Sequence, residues 1–134
     1  MAKLEGPAKE ILAEGKNYAT VSIPREDGTV QSVITWTHAD DDGNVTLNSA
    51  EGRTWPENLR RAGTATLTLM RDGNPYEYVA ITGRLVADTH DGADEDIDFL
   101  AKKYLDADSY PFRQEGEQRV KFTLQPERVN YVKG

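Results

Sequence analysis

The spacing of apolar residues changes near the start of the chain. Over residues 4–12, apolar side chains recur at intervals of four, seven and eight positions, which predicts a helix with one buried face. Pro7 falls in its first turn, where proline is tolerated, and Gly15 is expected to cap its end. From residue 19 the interval falls to two, as Ala19, Val21 and Ile23 alternate with polar neighbours. This alternation predicts a strand.

The same two kinds of pattern predict six more strands and two more helices. Asp27-Gly28 is a hairpin signal after the first strand. Thr54 and Glu57 form the T-x-x-E pattern of a capping box at the start of a short helix, and Pro126 is expected to separate the last two strands. The strands are predicted at residues 30–38, 45–48, 64–71, 76–87, 120–124 and 129–132, and the helices at 54–62 and 91–106.

The order of these elements predicts a fold class. Consecutive strands are joined by turns, with no helical crossover between parallel strands, so a single mainly β domain over residues 1–134 is expected, built as an antiparallel barrel with a few helices. The strand at 76–87 carries apolar or aromatic side chains on both faces, with Val79 and Ile81 on one side and Tyr76 and Tyr78 on the other. An apolar outer face is typical of a strand that meets a partner chain.

Composition narrows the possible partners and the compartment. The 134 residues carry 16 Lys and Arg against 23 Asp and Glu, a formal net charge of −7. An acidic surface repels nucleic-acid backbones and anionic membranes, so no nucleic acid and no membrane is expected as a partner. The absence of cysteine excludes disulfides and thiolate chemistry. No apolar run is long enough to span a bilayer, and the expected location is the cytoplasm.

Side chains that carry catalysis are scarce in this sequence. His38 and His90 lie far apart in unlike settings, and structural or surface roles are preferred for both. A solvated turn explains the acidic run at 40–42 and a helix start explains the one at 94–96, so no metal site is expected. G-x-G-x-x-G, G-x-S-x-G and phosphate-loop motifs do not occur. Chemistry supplied by a bound cofactor fits a chain that offers no obvious nucleophile or base.

The segment 47–61 is the one cationic stretch of interest on this acidic chain. Asn48 and Ser49 offer hydrogen-bonding groups at a strand end, and Gly52 permits close backbone approach. Arg53 stands just before a helix N-terminus, where free backbone N–H groups and a guanidinium together suit an anion such as phosphate. A capped surface helix with ordinary arginines explains the same residues equally well.

Several motifs occur in a recognisable order along nearly the whole chain. They are Asp27-Gly28, Ile34-Thr35-Trp36, Asn48-Ser49, Arg53, Asn58-Leu59-Arg60-Arg61, Val79-Ala80-Ile81-Thr82-Gly83-Arg84, Arg119-Val120 and Pro126-Glu127-Arg128-Val129. In this order the sequence resembles the pyridoxamine 5'-phosphate oxidase-like family of flavin- and deazaflavin-dependent oxidoreductases. The short chain and the N-L-R-R segment are most similar to the branch that uses the deazaflavin coenzyme F-420 and is found in actinobacteria.

The resemblance implies an FMN-binding-protein-like split antiparallel β-barrel. It also implies a homodimer with the cofactor, coenzyme F-420 or alternatively FMN, at the subunit interface. The phosphate is expected near Ser49 and Arg53 and the ring near residues 34–36. Tyr104, Tyr110 and Phe112 are candidates for closing the site from the partner chain, although a packing role is preferred for Tyr104, which lies on the apolar stripe of its helix. The residues expected to bind the cofactor are Ile34, Thr35, Trp36, Asn48, Ser49, Arg53, Trp55, Asn58 and Arg60.

One position departs from the family pattern. Trp55 stands where the deazaflavin branch usually has the lysine of R-x-K, so a cation near the phosphate or the acidic tail is lost. Arg60 or Arg61 compensates, the cofactor differs, or binding is weak. Trp55 itself either stacks on the cofactor or packs, and packing is preferred.

Three functions follow as alternatives. The first is an oxidoreductase that transfers a hydride from reduced coenzyme F-420, or FMN, to a small organic substrate. The second is a non-catalytic protein that binds a flavin, a deazaflavin or haem for storage, sensing or delivery. The third is a dimeric barrel whose site has eroded. The catalytic residues and the substrate are not defined by the sequence.

Overall fold

A computed structural model describes residues 2–134, which form seven strands and three helices. In chain order these elements are α1 (Gly6–Ala13), β1 (Ala19–Pro24), β2 (Val30–Thr35), β3 (His38–Ala39), β4 (Val45–Ala50), α2 (Thr54–Ala62), β5 (Thr64–Arg71), β6 (Asn74–Thr89), α3 (Ala93–Leu105) and β7 (Arg119–Lys133).

All strands belong to one sheet, in the order β2-β1-β5-β6-β7-β4-β3, and every pair is antiparallel. The mainly β antiparallel architecture predicted from the sequence is therefore confirmed. The long strands β6 and β7 pair with each other along most of their length and connect the two halves of the sheet. Their register shifts at Thr82/Gly83 and again at Leu85/Ala87. Such bulges increase twist and bend a sheet, which lets these two strands curl around one core.

The predicted break at Pro126 is wrong, since β7 runs without interruption through this residue. Pro126 pairs with Gly83 next to the register shift, where the ladder is already irregular and a missing N–H is tolerated. Gly83 suits this close approach, because a Cβ at this position would lie 3.0 Å from the Leu124 Cβ and 3.3 Å from a backbone oxygen.

The predicted strand 30–38 is also too long. β2 ends at Thr35, and residues 38–39 form β3 at the opposite edge of the sheet, where they pair with β4. The two residues between them cross from one edge to the other. The Thr37 hydroxyl donates a hydrogen bond to the Thr46 backbone oxygen at 2.8 Å, which fixes the crossing against β4.

Helix ends differ from the sequence prediction in two places. Arg53 occupies the N-cap position of α2 and no side chain caps the helix, so the predicted capping box is wrong. The Thr54 hydroxyl accepts a hydrogen bond from Gln31 at 3.2 Å instead, and Glu57 pairs with Arg60. In α1 the C-cap residue is Glu14 rather than Gly15.

The buried apolar residues form two clusters. The larger one lies inside the barrel and includes the predicted buried face of α1, with Ala8, Ile11 and Leu12. The smaller one is formed by α3 on the outside of the sheet and comprises Ile97, Leu100 and Tyr104, with Trp36 and Tyr110 packed against it. Among residues 2–134, no helix is long and apolar enough to cross a membrane.

A charged cluster holds the β5–β6 hairpin against β7. Arg71 donates two hydrogen bonds to the Glu77 carboxylate, at 2.7 and 3.0 Å, and the Tyr131 hydroxyl donates a third at 2.6 Å. The Arg71 guanidinium, together with the Tyr131 hydroxyl, lowers the pKa of Glu77 from 4.5 to about 2. A carboxylate that is more acidic in the folded state stabilises the fold above its unfolded pKa.

We expect Glu77→Gln to reduce the free energy of unfolding most at neutral pH. The contribution of the ionised carboxylate is complete above pH 4.5 and is lost as the pH falls toward 2, so wild type and variant should converge in acid. Urea unfolding at a series of pH values measures this difference. Glu127→Gln is the control, because that exposed carboxylate makes only a 3.8 Å contact with Arg84. If the difference in unfolding free energy between wild type and Glu77→Gln does not change with pH, the ionised Glu77 carboxylate is not its source.

Candidate functional site

A cavity of about 320 Å³ lies beside the point where the chain leaves β2 and crosses the sheet. Its walls come from the ends of β2 and β4, the start of α2, the apolar face of α3 and the segment between α3 and β7. The lining residues are Tyr18, Ile34, Thr35, Trp36, Asn48, Arg53, Trp55, Ile97, Leu100, Tyr110, Phe112 and Arg119.

Aromatic rings form one wall of this cavity. Trp36 stacks on Tyr104, with ring centroids 5.4 Å apart and planes inclined by 7°, and meets the edge of Tyr110 at 6.0 Å. Phe112 extends the wall, edge to face with Tyr110 at 5.7 Å. An aromatic lining of this kind suits a conjugated ligand, which can stack on one ring and meet another at its edge.

The position of Trp36 depends on buried polar groups behind it. The Tyr104 hydroxyl donates to the Asn17 backbone oxygen at 2.6 Å and accepts from the Thr37 amide at 3.2 Å. The Lys103 ammonium donates to the Thr37 oxygen at 2.5 Å and to the Leu12 oxygen at 2.7 Å. Burial lowers the pKa of Lys103 to about 8. These bonds tie α3 to α1 and to the crossing segment that carries Trp36.

Asn48 fixes the polar end of the cavity. Its amide nitrogen donates to the Ala93 backbone oxygen and to the Asp96 carboxylate, both at 2.9 Å, and its oxygen accepts from Arg119 Nε at 2.9 Å. Asp96 also lies 2.7 Å from His38 Nε2. Because its amide is engaged on both sides, Asn48 positions α3 and Arg119 more than it offers groups to a ligand.

Two arginines line the cavity. Arg53 is exposed at the N-cap of α2 and forms no hydrogen bond or ion pair with another residue in the described part of the chain. Arg119 is 4% exposed, and its guanidinium also pairs with Glu117 and lies 5.0 Å from the Tyr110 ring centre. No carboxylate occurs among the described residues that line this cavity.

The structure brings six of the nine sequence-predicted cofactor residues to the cavity. The six are Ile34, Thr35, Trp36, Asn48, Arg53 and Trp55. Trp55 is 6% exposed and packs against Phe122 at 5.8 Å, so it belongs to the barrel core as well as to the cavity wall.

Ser49 and Asn58 lie away from this cavity. Ser49 is fully buried, and because side chains alternate along β4, it points to the opposite side from Asn48. Asn58 donates to Gln31 at 3.2 Å and accepts from Arg61 at 2.9 Å, beside the β1–β2 hairpin.

Arg60 also lies outside the cavity, because carboxylates engage it. It donates to Glu51 at 2.8 and 2.9 Å, to Asp88 at 2.7 and 3.1 Å, and to Glu57 at 2.6 Å. His90 lies 2.6 Å from the same Glu51 carboxylate. Arg60 and then His90 lower the pKa of Glu51 to about 2. This cluster holds the turn before α2 in place, so the charge of Arg60 is used within the protein.

Four lining residues were not among those predicted from the sequence. Ile97 and Leu100 fit an ordinary helical stripe, and Tyr18 begins an alternating strand pattern, so nothing distinguishes them from core residues. Arg119 belongs to the Arg119-Val120 motif, one of those on which the resemblance to the family rests, but this motif alone does not predict a role for it. Tyr110 and Phe112, considered as contributions from a partner chain, line the cavity of their own chain.

Comparison with known proteins identifies solved structures with a similar architecture. No protein-family model and no curated protein matches the chain, whereas many solved structures do. A structure named F420 reductase has a TM-score of 0.79 at 20% identity, covering 94% of this chain and 98% of its own. A Listeria innocua protein assigned provisionally as a pyridoxamine 5'-phosphate oxidase has a TM-score of 0.65 at 13% identity, covering 87% and 89%. HupZ of Group A Streptococcus has a TM-score of 0.67 at 13% identity, covering 94% and 91%.

These likenesses define the fold. The chain has the split β-barrel fold of the pyridoxamine 5'-phosphate oxidase-like proteins, as the resemblance implied. The similarity to the structure named F420 reductase extends over nearly the full length of both chains.

Asn48→Ala should reduce the free energy of unfolding by about 2–3 kcal/mol, because it leaves buried partners on α3 and β7 without hydrogen bonds. The emission of Trp36 should also shift to longer wavelength as α3 loosens. Asn130→Ala on an exposed strand position is the control and should change the unfolding free energy by less than about 0.5 kcal/mol. Equal small effects from both variants in urea unfolding would show that Asn48 does not hold α3.

Proposed function

We propose that this protein binds a flavin-type cofactor, coenzyme F-420 or alternatively FMN, and transfers a hydride from it to a small organic substrate. The proposal includes membership of the pyridoxamine 5'-phosphate oxidase-like family and assembly as a homodimer. The observation that carries it is the cavity itself, which combines an aromatic wall with two arginines and no lining carboxylate among the described residues. The structure named F420 reductase, which shares the fold, supports the deazaflavin.

The residues present fit such a cofactor. Thr35 lines the cavity, and its buried hydroxyl has no hydrogen-bond partner within residues 2–134. Buried polar groups in native proteins are normally satisfied, so a polar ligand atom that reached the Thr35 hydroxyl would complete its hydrogen bonding. A volume of about 320 Å³ lies at the small end of the usual range for ligand sites, about 300–1,000 Å³.

Each part of the cavity has a role in this proposal. The segment Ile34–Trp36 supports the ring, and the exposed guanidinium of Arg53 at the start of α2 attracts the anionic part. The apolar residues of α3 exclude water from the ring. When bound, the cofactor supplies the hydride chemistry, and the protein binds and orients it.

The principal alternative is a non-catalytic protein that holds the cofactor for storage, sensing or delivery. Two observations favour it. Trp55, at the position of the family lysine, is packed into the barrel core and offers no charge. The lining residues also include no His, Asp, Glu or Lys within the described chain that is placed to donate or accept a proton. Oxidation of reduced cofactor by a panel of quinones and unsaturated carbonyl compounds separates the two functions, since only the enzyme turns over.

An apolar outer face adjoins the cavity, which supports the homodimer. This face carries a depression of about 450 Å³ lined by Tyr18, Thr20, Ile34, Thr68, Met70, Pro75 and Tyr78. Ile34 and Met70 are 73% and 52% exposed. Tyr18 and Ile34 line both this depression and the cavity, so a second copy on this face would lie directly beside the cavity.

Arg53→Ala should weaken binding of the cognate cofactor by about 1.5–3 kcal/mol, which is at least a tenfold rise in Kd. Titrations of wild type and variant with coenzyme F-420 and FMN, followed by tryptophan fluorescence, measure it. Arg25→Ala is the matched control, because it removes the same charge at the hairpin tip, outside the cavity. Unchanged affinity in Arg53→Ala would remove Arg53 from the site, and no response of the wild type to either compound would contradict the proposed function.

In sedimentation at micromolar concentration the protein should be a dimer. Met70→Glu should shift it toward monomer, because a charge on the apolar face must be desolvated on assembly. Val86→Glu, at another exposed apolar position, should leave the dimer intact. A wild-type monomer would contradict the assembly.

A further inference from the structure

We propose that Arg119 acts with Arg53 to hold the anionic group of the bound ligand, and that Glu117 is an internal anion that competes with this group for the two guanidinium groups. The inference rests on the proposed function for the identity of the ligand, a phosphate carried by a flavin-type cofactor. It adds a second cation to the anion site and a residue that sets how tightly the site binds.

Arg119 is prepared to meet a ligand. Its side chain is 3% exposed and lines the cavity, and two contacts fix its orientation: Nε donates to Asn48 and Nη1 pairs with Glu117. Nη2 forms no hydrogen bond with any residue in the described chain. A guanidinium held rigidly with one nitrogen unused is suited to an oxygen acceptor, and it loses little side-chain entropy on binding.

Arg119 and Arg53 lie at the same end of the cavity. Arg119 is paired with Ala50 across β4 and β7, and Ala50 precedes the short turn that leads to Arg53. Both arginines line the cavity, so both side chains border the same space. A single phosphate in that space is within the field of both positive charges.

Glu117 faces both arginines. Its carboxylate accepts a hydrogen bond from Arg119 and another from the Gln114 amide at 2.9 Å. Glu117 and Arg53 also line a neighbouring cavity of about 340 Å³. Burial opposes ionisation of Glu117, but the Gln114 amide and Arg119, with the charge of Arg53, outweigh it and lower the pKa of the carboxyl. The carboxylate is therefore ionised and stands beside the cations that a ligand phosphate would use.

Among Arg53, Arg119 and Glu117 alone, two guanidinium groups and one carboxylate sum to one positive charge, on a chain whose net charge is −7. Glu51 and Glu115 line the neighbouring cavity as well, and a substitution at Glu117 leaves both of them unchanged. Glu117→Gln keeps the shape and an acceptor oxygen but raises the local charge by one. For an anion about 10 Å away and an effective dielectric constant of about 35, between that of a protein surface and that of water, this change strengthens binding about fivefold.

The direction in which two substitutions change ligand affinity distinguishes this inference from a purely structural ion pair. If the Arg119–Glu117 pair only braced the segment before β7, then Glu117→Gln and Arg119→Gln would both weaken ligand binding. If the pair sets the charge of an anion site, Glu117→Gln strengthens binding while Arg119→Gln weakens it. The first variant alone is decisive if the second fails to fold, and Arg119→Lys then tests whether charge without the planar fork is sufficient.

The experiment compares ligands with and without phosphate. Dissociation constants are measured for FMN against riboflavin, and for coenzyme F-420 against its phosphate-free deazaflavin fragment. Glu117→Gln should lower the Kd of the phosphorylated ligand about fivefold and Arg119→Gln should raise it at least tenfold, with the phosphate-free ligand changed less than twofold by either. Glu127→Gln, which makes the same charge change far from the cavity, should have no effect.

A parallel measurement uses inorganic phosphate alone, followed by thermal unfolding. Phosphate should raise the Tm of Glu117→Gln more than that of wild type, and that of Arg119→Gln least. If this order holds and no flavin or deazaflavin binds, the anion site stands and the proposed cofactor is wrong. If cofactor binds but both substitutions weaken it, or riboflavin responds as strongly as FMN, the inference is overturned and the proposed function remains.

Discussion

The site depends on the hydrogen bonds of one amide, that of Asn48. β4, α3 and β7 meet at this side chain, which bonds to Ala93 and Asp96 on one side and to Arg119 on the other. An amide is suited to this position because it donates and accepts at once, and so satisfies a carboxylate and a guanidinium that would otherwise be costly to bury. Without this junction the first turn of α3 would lose its hydrogen bonds to β4, and the helix would be held by its apolar stripe, by the His38–Asp96 contact and by the hydrogen bonds of Lys103 and Tyr104.

The aromatic wall is a second consequence of how α3 is held. Trp36 lies on a segment that crosses between sheet edges and has little regular structure of its own. Its plane is set by stacking on Tyr104, and the hydroxyl of Tyr104 is set by backbone groups of the crossing segment and of the α1–β1 connection. A wall built in this way is rigid only while α3 stays docked, so the polar and aromatic ends of the cavity depend on the same helix.

Local pattern was sufficient to predict much of the fold. β1 and β5 match the alternation from which they were predicted, because each has one side facing the barrel core. What could not be predicted depends on contacts distant in sequence. The crossing after Thr35 requires β4 as a neighbour, and the passage of β7 through Pro126 requires the bulge opposite Gly83.

In the candidate site, too, the local sequence pattern predicted some residues, and contacts distant in sequence determined the others. Residues 34–36, Asn48, Arg53 and Trp55, which the motif order singled out, line one cavity. The Ser49 side chain points to the other face of β4 from Asn48. Successive side chains of a strand alternate between its two faces, and the motif does not specify which of the two residues faces the cavity. Arg60 is engaged by carboxylates from 9 and 28 residues away, and Arg119 becomes a cavity residue only because β7 pairs with β4.

Tyr18 and Ile34 belong to two surfaces at once, the wall of the cavity and the exposed apolar face beside it. Any molecule that covers the face therefore changes the free energy of filling the cavity. Thermodynamic reciprocity requires the converse by the same factor. A ligand in the cavity would thus act as an effector of assembly, and its apparent affinity would vary with the concentration of the protein itself.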